Sequence, residues 1–175
     1  MTTETELKEY LARMKSEIDE TDLSTTDGIR KEENILQYLT FLANSEVFGI
    51  NILQTHEVLK PVFITRLPNV EPEVLGVINL RGNIIPVLDI NMKFGFQYTK
   101  LTPQTRIIIA TYKKQMKGLL VDKVQEVARI KEESIQAAEI HNFSNHYVEG
   151  TGRVENKIFQ ILNLETIFSF TSDKD

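Results

Sequence analysis

The stretch GVINLRGNIIPVLDINMKF (residues 76–94) holds the plan of the whole chain. It reads as a strand, GVINLRG (76–82), a second strand, NIIPVLDI (83–90), and a short helix, DINMKF, capped by Asp89. Gly76 and Gly82 read as backbone requirements: a positive φ, a bulge or a close approach of another segment. Pro86 has no N–H to donate, so its strand is expected at a sheet edge or bulged at that point. The pattern then returns as GTGRVENKIFQILNLETIF (150–168). Gly76 and Asp89 are 13 residues apart, as are Gly150 and Asn163, and each cap follows an aliphatic-Leu pair and precedes a Phe by five residues.

Working outward, FGINILQTHEV (48–58) matches KGLLVDKVQEV (117–127): Gly49 and Gly118 each open an apolar strand, and Glu57-Val58 and Glu126-Val127 follow eight residues later. The halves keep one order: hairpin, Glu-Val, connector, glycine, strand, cap, short helix. Two such matches in one order indicate an internal duplication. The first hairpin pairs ILQYLTFL (35–42) with EVFGINIL (46–53) across Ala43-Asn44-Ser45; another pairs TRIIIATY (105–112) with MKGLLVD (116–122), and NKIFQIL (156–162) is a late strand. This spacing of short strands predicts a mainly β barrel or sandwich rather than a βαβ fold.

Before this region the texture is different. Leu7, Tyr10, Leu11, Met14 and Ile18 recur at helical spacing, with Thr3 and Glu6 placed as a capping box. A stripe of about three turns needs a surface to dock against, either its own body or a partner. Residues 19–33 are polar and read as a solvated linker. Residues 1–33 carry ten acidic and five basic side chains, which accounts for the whole net charge of −5. The body is therefore neutral. Without a basic stripe it is poorly suited to nucleic acid or to an anionic membrane surface, and no apolar run is long enough for membrane insertion. A small-barrel nucleic-acid binder is the competing class, since five Tyr and nine Phe could stack bases, but the missing basic groove opposes it.

Catalytic signatures are missing. The chain has no cysteine, which fits a cytosolic location and rules out thiol nucleophiles and disulfides. His141 and His146 are five apart rather than the four of a helical zinc pair, so the histidines, His56 included, are expected in surface or packing roles, with no metal or cofactor. EGTGRV (149–154) has no P-loop lysine and reads as a turn. Two polar residues stand out: Arg81 within NLRG, and Glu57 at the end of the first long hairpin. An arginine fork suits a carboxylate, so Glu57 and Arg81 are a candidate ion pair bracing two strands.

QYLTF (37–41), FGINIL (48–53), HEV (56–58), ITRLPN (64–69), GVINLRGNIIPVLDI (76–90), GLLVDKVQEV (118–127) and G-x-G-R-V (150–154), taken in order, resemble the CheW family of chemotaxis coupling proteins. The resemblance implies two intertwined five-stranded SH3-like β-barrels with short helices. The extension would then be residues 1–33 (helix at about 4–18, then linker), with a CheW-like domain of two barrel subdomains over 34–170 and a tail at 171–175. It also implies a non-enzymatic scaffold, located in the cytoplasm at receptor arrays, that joins the regulatory domain of a CheA-type histidine kinase to the tip of a methyl-accepting chemoreceptor. Carried over residue by residue, Glu57, Gly76, Asn79, Leu80, Arg81 and Gly82 fall on kinase- and receptor-binding positions. Thr55, Arg106, Ile107, Gly118 and Val124 fall along the groove between barrels, where the receptor tip is expected. The chain departs from the family pattern at Thr55 (commonly Val), Leu59 (often Arg), Arg106 (usually aliphatic) and Asn163 (usually Asp).

Overall fold

The computed structural model describes residues 4–19, 33–138 and 146–169. The elements are α1 (Glu4–Asp19), β1 (Ile35–Ala43), β2 (Glu46–Asn51), β3 (Thr55–Leu59), β4 (Val74–Leu80), β5 (Asn83–Asp89), α2 (Ile90–Lys93), β6 (Arg106–Tyr112), β7 (Gln115–Val121), β8 (Lys123–Lys131), β9 (Gln136–Ala137), β10 (Val148–Val154), β11 (Lys157–Leu162) and α3 (Leu164–Phe168). The linker, the C-terminal tail, Thr3 of the capping box and His141 lie outside the described residues. His146 packs edge-on against Tyr147, with ring centroids 5.4 Å apart.

Tight turns close the hairpins. Asn44-Ser45 (φ 48° and 65°), Arg81-Gly82 (50° and 86°) and Lys113-Lys114 (45° and 65°) each place both central residues in the left-handed region, which matches the twist of the flanking strands. The first hairpin thus turns on two residues, and Ala43 belongs to its strand. Gly76 has φ 142°, and a Cβ there would come within 2.1 Å of the Thr65 carbonyl oxygen. Both short helices carry the expected caps: the Asp89 carboxylate accepts from the backbone N–H of Asn91 and Met92, and the Asn163 side chain accepts from Glu165 and Thr166.

Two expectations need correction. Glu149–Val154 is not a turn, because the segment runs as strand β10, paired with β11 and β9. Pro86 lies in an interior strand, and the register irregularity falls on its partner strand, between Val74 and Gly76. The physical reason is local. Val77, opposite Pro86, spends both its N–H and its carbonyl on Thr65, so the Val77/Pro86 pair is of the non-hydrogen-bonded kind. The proline nitrogen therefore faces β7, whose parallel pairing with β5 begins only at Val87.

The two sheets exchange strands between the halves. One has the order β3-β6-β7-β5-β4, the other β8-β1-β2-β11-β10-β9. Each takes its central hairpin from one half and its remaining strands from the other, and each curls into an SH3-like barrel, here called the first and second barrel respectively; the first has five strands, the second five plus the two-residue β9. The joining parallel pairs share one register: Gly118 beside Val87 in the first barrel, and Gly49 beside Ile161 in the second. Three apolar clusters follow. Ile78, Ile85, Ile107 and Ile109 fill the first barrel, while Tyr38, Ile130, Phe159 and Ile161 fill the second. The largest cluster lies between them and takes Leu39, Phe41 and Ile50 from one side, Ile108 and Leu119 from the other, and Ile90 and Ile167 from the short helices.

α1 docks on this body. Leu11 is 3% exposed and joins the central cluster, with Leu7 half-buried against it. Burial of one leucine stabilises by roughly 1.5–3 kcal/mol, and Leu11 is the only buried side chain among those described on α1, so the helix is held modestly.

Candidate functional site

In the first barrel, β3 and β4 are the two sheet edges, so closure depends on what joins them. Glu57 projects from β3 with its side chain only 9% exposed. Arg81 stands in the turn that follows β4, and its guanidinium donates to both carboxylate oxygens, at 3.1 and 3.3 Å. The fork-on-fork geometry fixes both groups and closes the seam of the barrel. The outer face of the guanidinium stays free, since the Arg81 side chain is 71% exposed.

The turn itself aims that side chain. Arg81 has φ 50°, an uncommon region for a long side chain, and the Gly82 N–H donates to the Asn79 side chain at 2.9 Å. Asn79, Arg81 and Gly82 are exposed and Leu80 is half-buried, so the hairpin tip presents a charge, a cap and an aliphatic edge together. Gly76 is buried and serves the site from beneath, where only a glycine lets Thr65 pair with Val77.

The five groove positions divide. Thr55 and Ile107 have no exposed surface, and Gly118 is buried, so none of these three presents surface of its own in this structure. Ile107 points into the first barrel, where a Cβ on Gly118 would meet its Cγ2 at 2.9 Å; Thr55 donates its hydroxyl to the Asn51 carbonyl. Arg106 and Val124 keep surface. The Arg106 guanidinium is turned back onto the carbonyls of Pro103 and Thr105, and Val124 packs against the central cluster.

A further surface went unread in the sequence. Phe63 (88% exposed) and Leu101 (70%) stand on the connectors after β3 and α2 and line one cleft with Val62, Leu67 and Tyr98. The signal was the apolar run PVFI (61–64) lying in a connector, of which only Ile64 packs against the first-barrel core. Among the described residues, no group of three or more His, Cys, Asp or Glu could hold a metal ion, and no helix is long and apolar enough to cross a membrane.

Two strand-exchanged barrels that expose their hairpin tips define the class of domain this chain forms. Comparison with known proteins gives it a family. The family model of the CheW-like domain matches residues 37–171, and the chain belongs to that family. Chemotaxis protein CheW of Helicobacter pylori is 34% identical over 80% of this chain and 87% of its own length; its Bacillus subtilis counterpart is 29% identical over 78% and 88%. The crystal structure of the scaffolding protein TtCheW from Thermoanaerobacter tengcongensis superposes with a TM-score of 0.75 at 34% identity, covering 80% of this chain and 97% of that one.

Proposed function

We propose that this chain is a non-enzymatic coupling scaffold that links a chemoreceptor's cytoplasmic tip to the regulatory domain of a CheA-type histidine kinase in a signalling array. The observation that carries the proposal is the hairpin tip: Arg81 is held by Glu57 in one geometry while most of its side chain faces outward. A pre-positioned arginine beside Leu80 and Asn79 suits recognition of a protein surface at little ordering cost. Arg106 and Val124 supply surface along the inter-barrel groove, with Thr55, Ile107 and Gly118 shaping it from below. The scaffold works by population shift: contacts that differ between receptor states bias the kinase without any chemistry on this chain.

Arg81→Glu places a like charge beside the nearly buried Glu57 and reverses the exposed charge. The expected outcome is loss of co-sedimentation with kinase regulatory domain and receptor tip, at an unchanged circular-dichroism spectrum. Lys157→Glu, at the seam of the second barrel, is the control and should bind normally. Unchanged co-sedimentation of Arg81→Glu refutes the proposal.

A further inference from the structure

α1 lies against β3 of the first barrel and flanks β8 of the second. These are corresponding strands of the two repeats, and Val58 of β3 and Val127 of β8 both reach the central apolar cluster between the barrels. Leu11 enters the central apolar cluster there, Leu7 packs beside it one turn earlier, and the flank of the helix shares a cleft with Gln125, Glu126 and Val127 of β8. Leu7 and Leu11 are an i, i+4 aliphatic pair, the pattern by which an amphipathic helix is read in a groove. β3 also carries Thr55, and β8 carries Val124, two positions of the groove proposed above for the receptor tip.

We infer that α1 is an internal occupant of the inter-barrel groove, and that the chain accepts a receptor tip there only after α1 lifts off. The inference rests on the proposed receptor groove and adds its regulation. The occupant has a modest hold: among the described side chains of α1 only Leu11 is buried, with Leu7 and Tyr10 half-buried. α1 is joined to the body by the chain itself, so it stays tethered when it leaves the groove. A tethered occupant acts at high effective concentration, and the apparent affinity for a competing helix falls by the fraction of chains in which the groove is open. The expected ligand is an amphipathic helix with an aliphatic pair one turn apart, able to replace Leu7 and Leu11. The matched family region begins at residue 37, so this occupant precedes the shared barrels.

The test uses the full chain, which contains no other cysteine. Glu9→Cys and Gln125→Cys, joined by a reducible bis-maleimide linker, pin α1 to β8; both residues line the same cleft. Binding to a purified receptor tip fragment should fall at least tenfold in the pinned chain and recover on reduction, while binding of the kinase regulatory domain through the Arg81 hairpin stays constant. In the unpinned chain, Leu11→Asn should tighten tip binding several-fold. If the pinned and reduced chains bind the tip equally, the inference is overturned and the receptor-groove reading survives. If neither form binds the tip, that reading fails and the inference falls with it. Loss of tip and kinase domain together also overturns it, since a block confined to the groove spares the hairpin.

Discussion

The seams of the two barrels are closed by the same device at nearly corresponding places, and the two closures differ in burial. In the first barrel Glu57 is almost enclosed and is gripped by both nitrogens of the Arg81 fork. In the second, Glu126 meets Lys157 through one contact of 3.0 Å, with the side chains 62% and 76% exposed. An exposed pair of that kind contributes little, about 0–1 kcal/mol, whereas the enclosed one holds a loop in a defined shape. Duplication thus supplied one architecture twice, and only one copy kept a rigid charged tip. On the function proposed above, that inequality gives the scaffold two different surfaces for two different partners.

The same contrast runs through the glycines, and there the largest effect is expected. Gly76 and Gly150 occupy corresponding bulges, but a Cβ at Gly76 would meet the Thr65 carbonyl oxygen at 2.1 Å and sit on a φ of 142°, while at Gly150 it would meet the Gln136 oxygen at 2.7 Å. Gly76→Ala should destabilise by about 3 kcal/mol or more and Gly150→Ala by clearly less, read as the shift in urea midpoint. Equal losses would break the comparison.

The helix caps come next. Asp89 is 1% exposed and accepts from Asn91 and Met92 and from both the N–H and the hydroxyl of Thr99; the Asn163 side chain accepts two backbone N–H groups. Asp89→Ala leaves buried donors without a partner and should cost about 2–3 kcal/mol, against about 1 kcal/mol for Asn163→Ala in the same denaturant titration.

The smallest difference is one of pH. Phe48 of the second barrel corresponds to Lys117 of the first, where a buried lysine donates to the Phe168 carbonyl at 2.6 Å. Burial, with a lesser push from the Lys93 charge, lowers its pKa to about 8. Below pH 8 the folded chain holds a charge that its surroundings disfavour. Between about 8 and 10.5 the unfolded chain keeps a proton the folded one has lost, so stability should rise with pH, by about 1 kcal/mol from pH 7 to 9. Lys117→Met should flatten that rise in thermal melts; an unchanged slope would show that Lys117 is not its source.

Much of this was legible in the sequence because it depends on local chemistry. Turns, caps and the conformation of Gly76 are set by a few neighbouring residues, and the Glu57–Arg81 pair follows from complementary groups in a repeated frame. The exchange of hairpins between barrels depends on pairings such as Ile35 with Lys131 and Phe48 with Gln160, which no local pattern specifies; that part came from the family resemblance. The burial of Thr55, Ile107 and Gly118 was hidden for a similar reason: which face of a strand is enclosed depends on the distant strands that curl around it. Pro86 misled because its rule concerns a hydrogen bond, and the decisive bond was the one Val77 makes to Thr65.

The strand exchange has a consequence for how the chain comes into being. β1 finds its outer neighbour only in β8, and β2 waits for β11, so the second barrel cannot close until almost all of the body has left the ribosome. The first half exposes its apolar hairpin throughout that interval. Folding should therefore be slow and concentrated late in synthesis, and a product that stops between the repeats would yield no barrel at all.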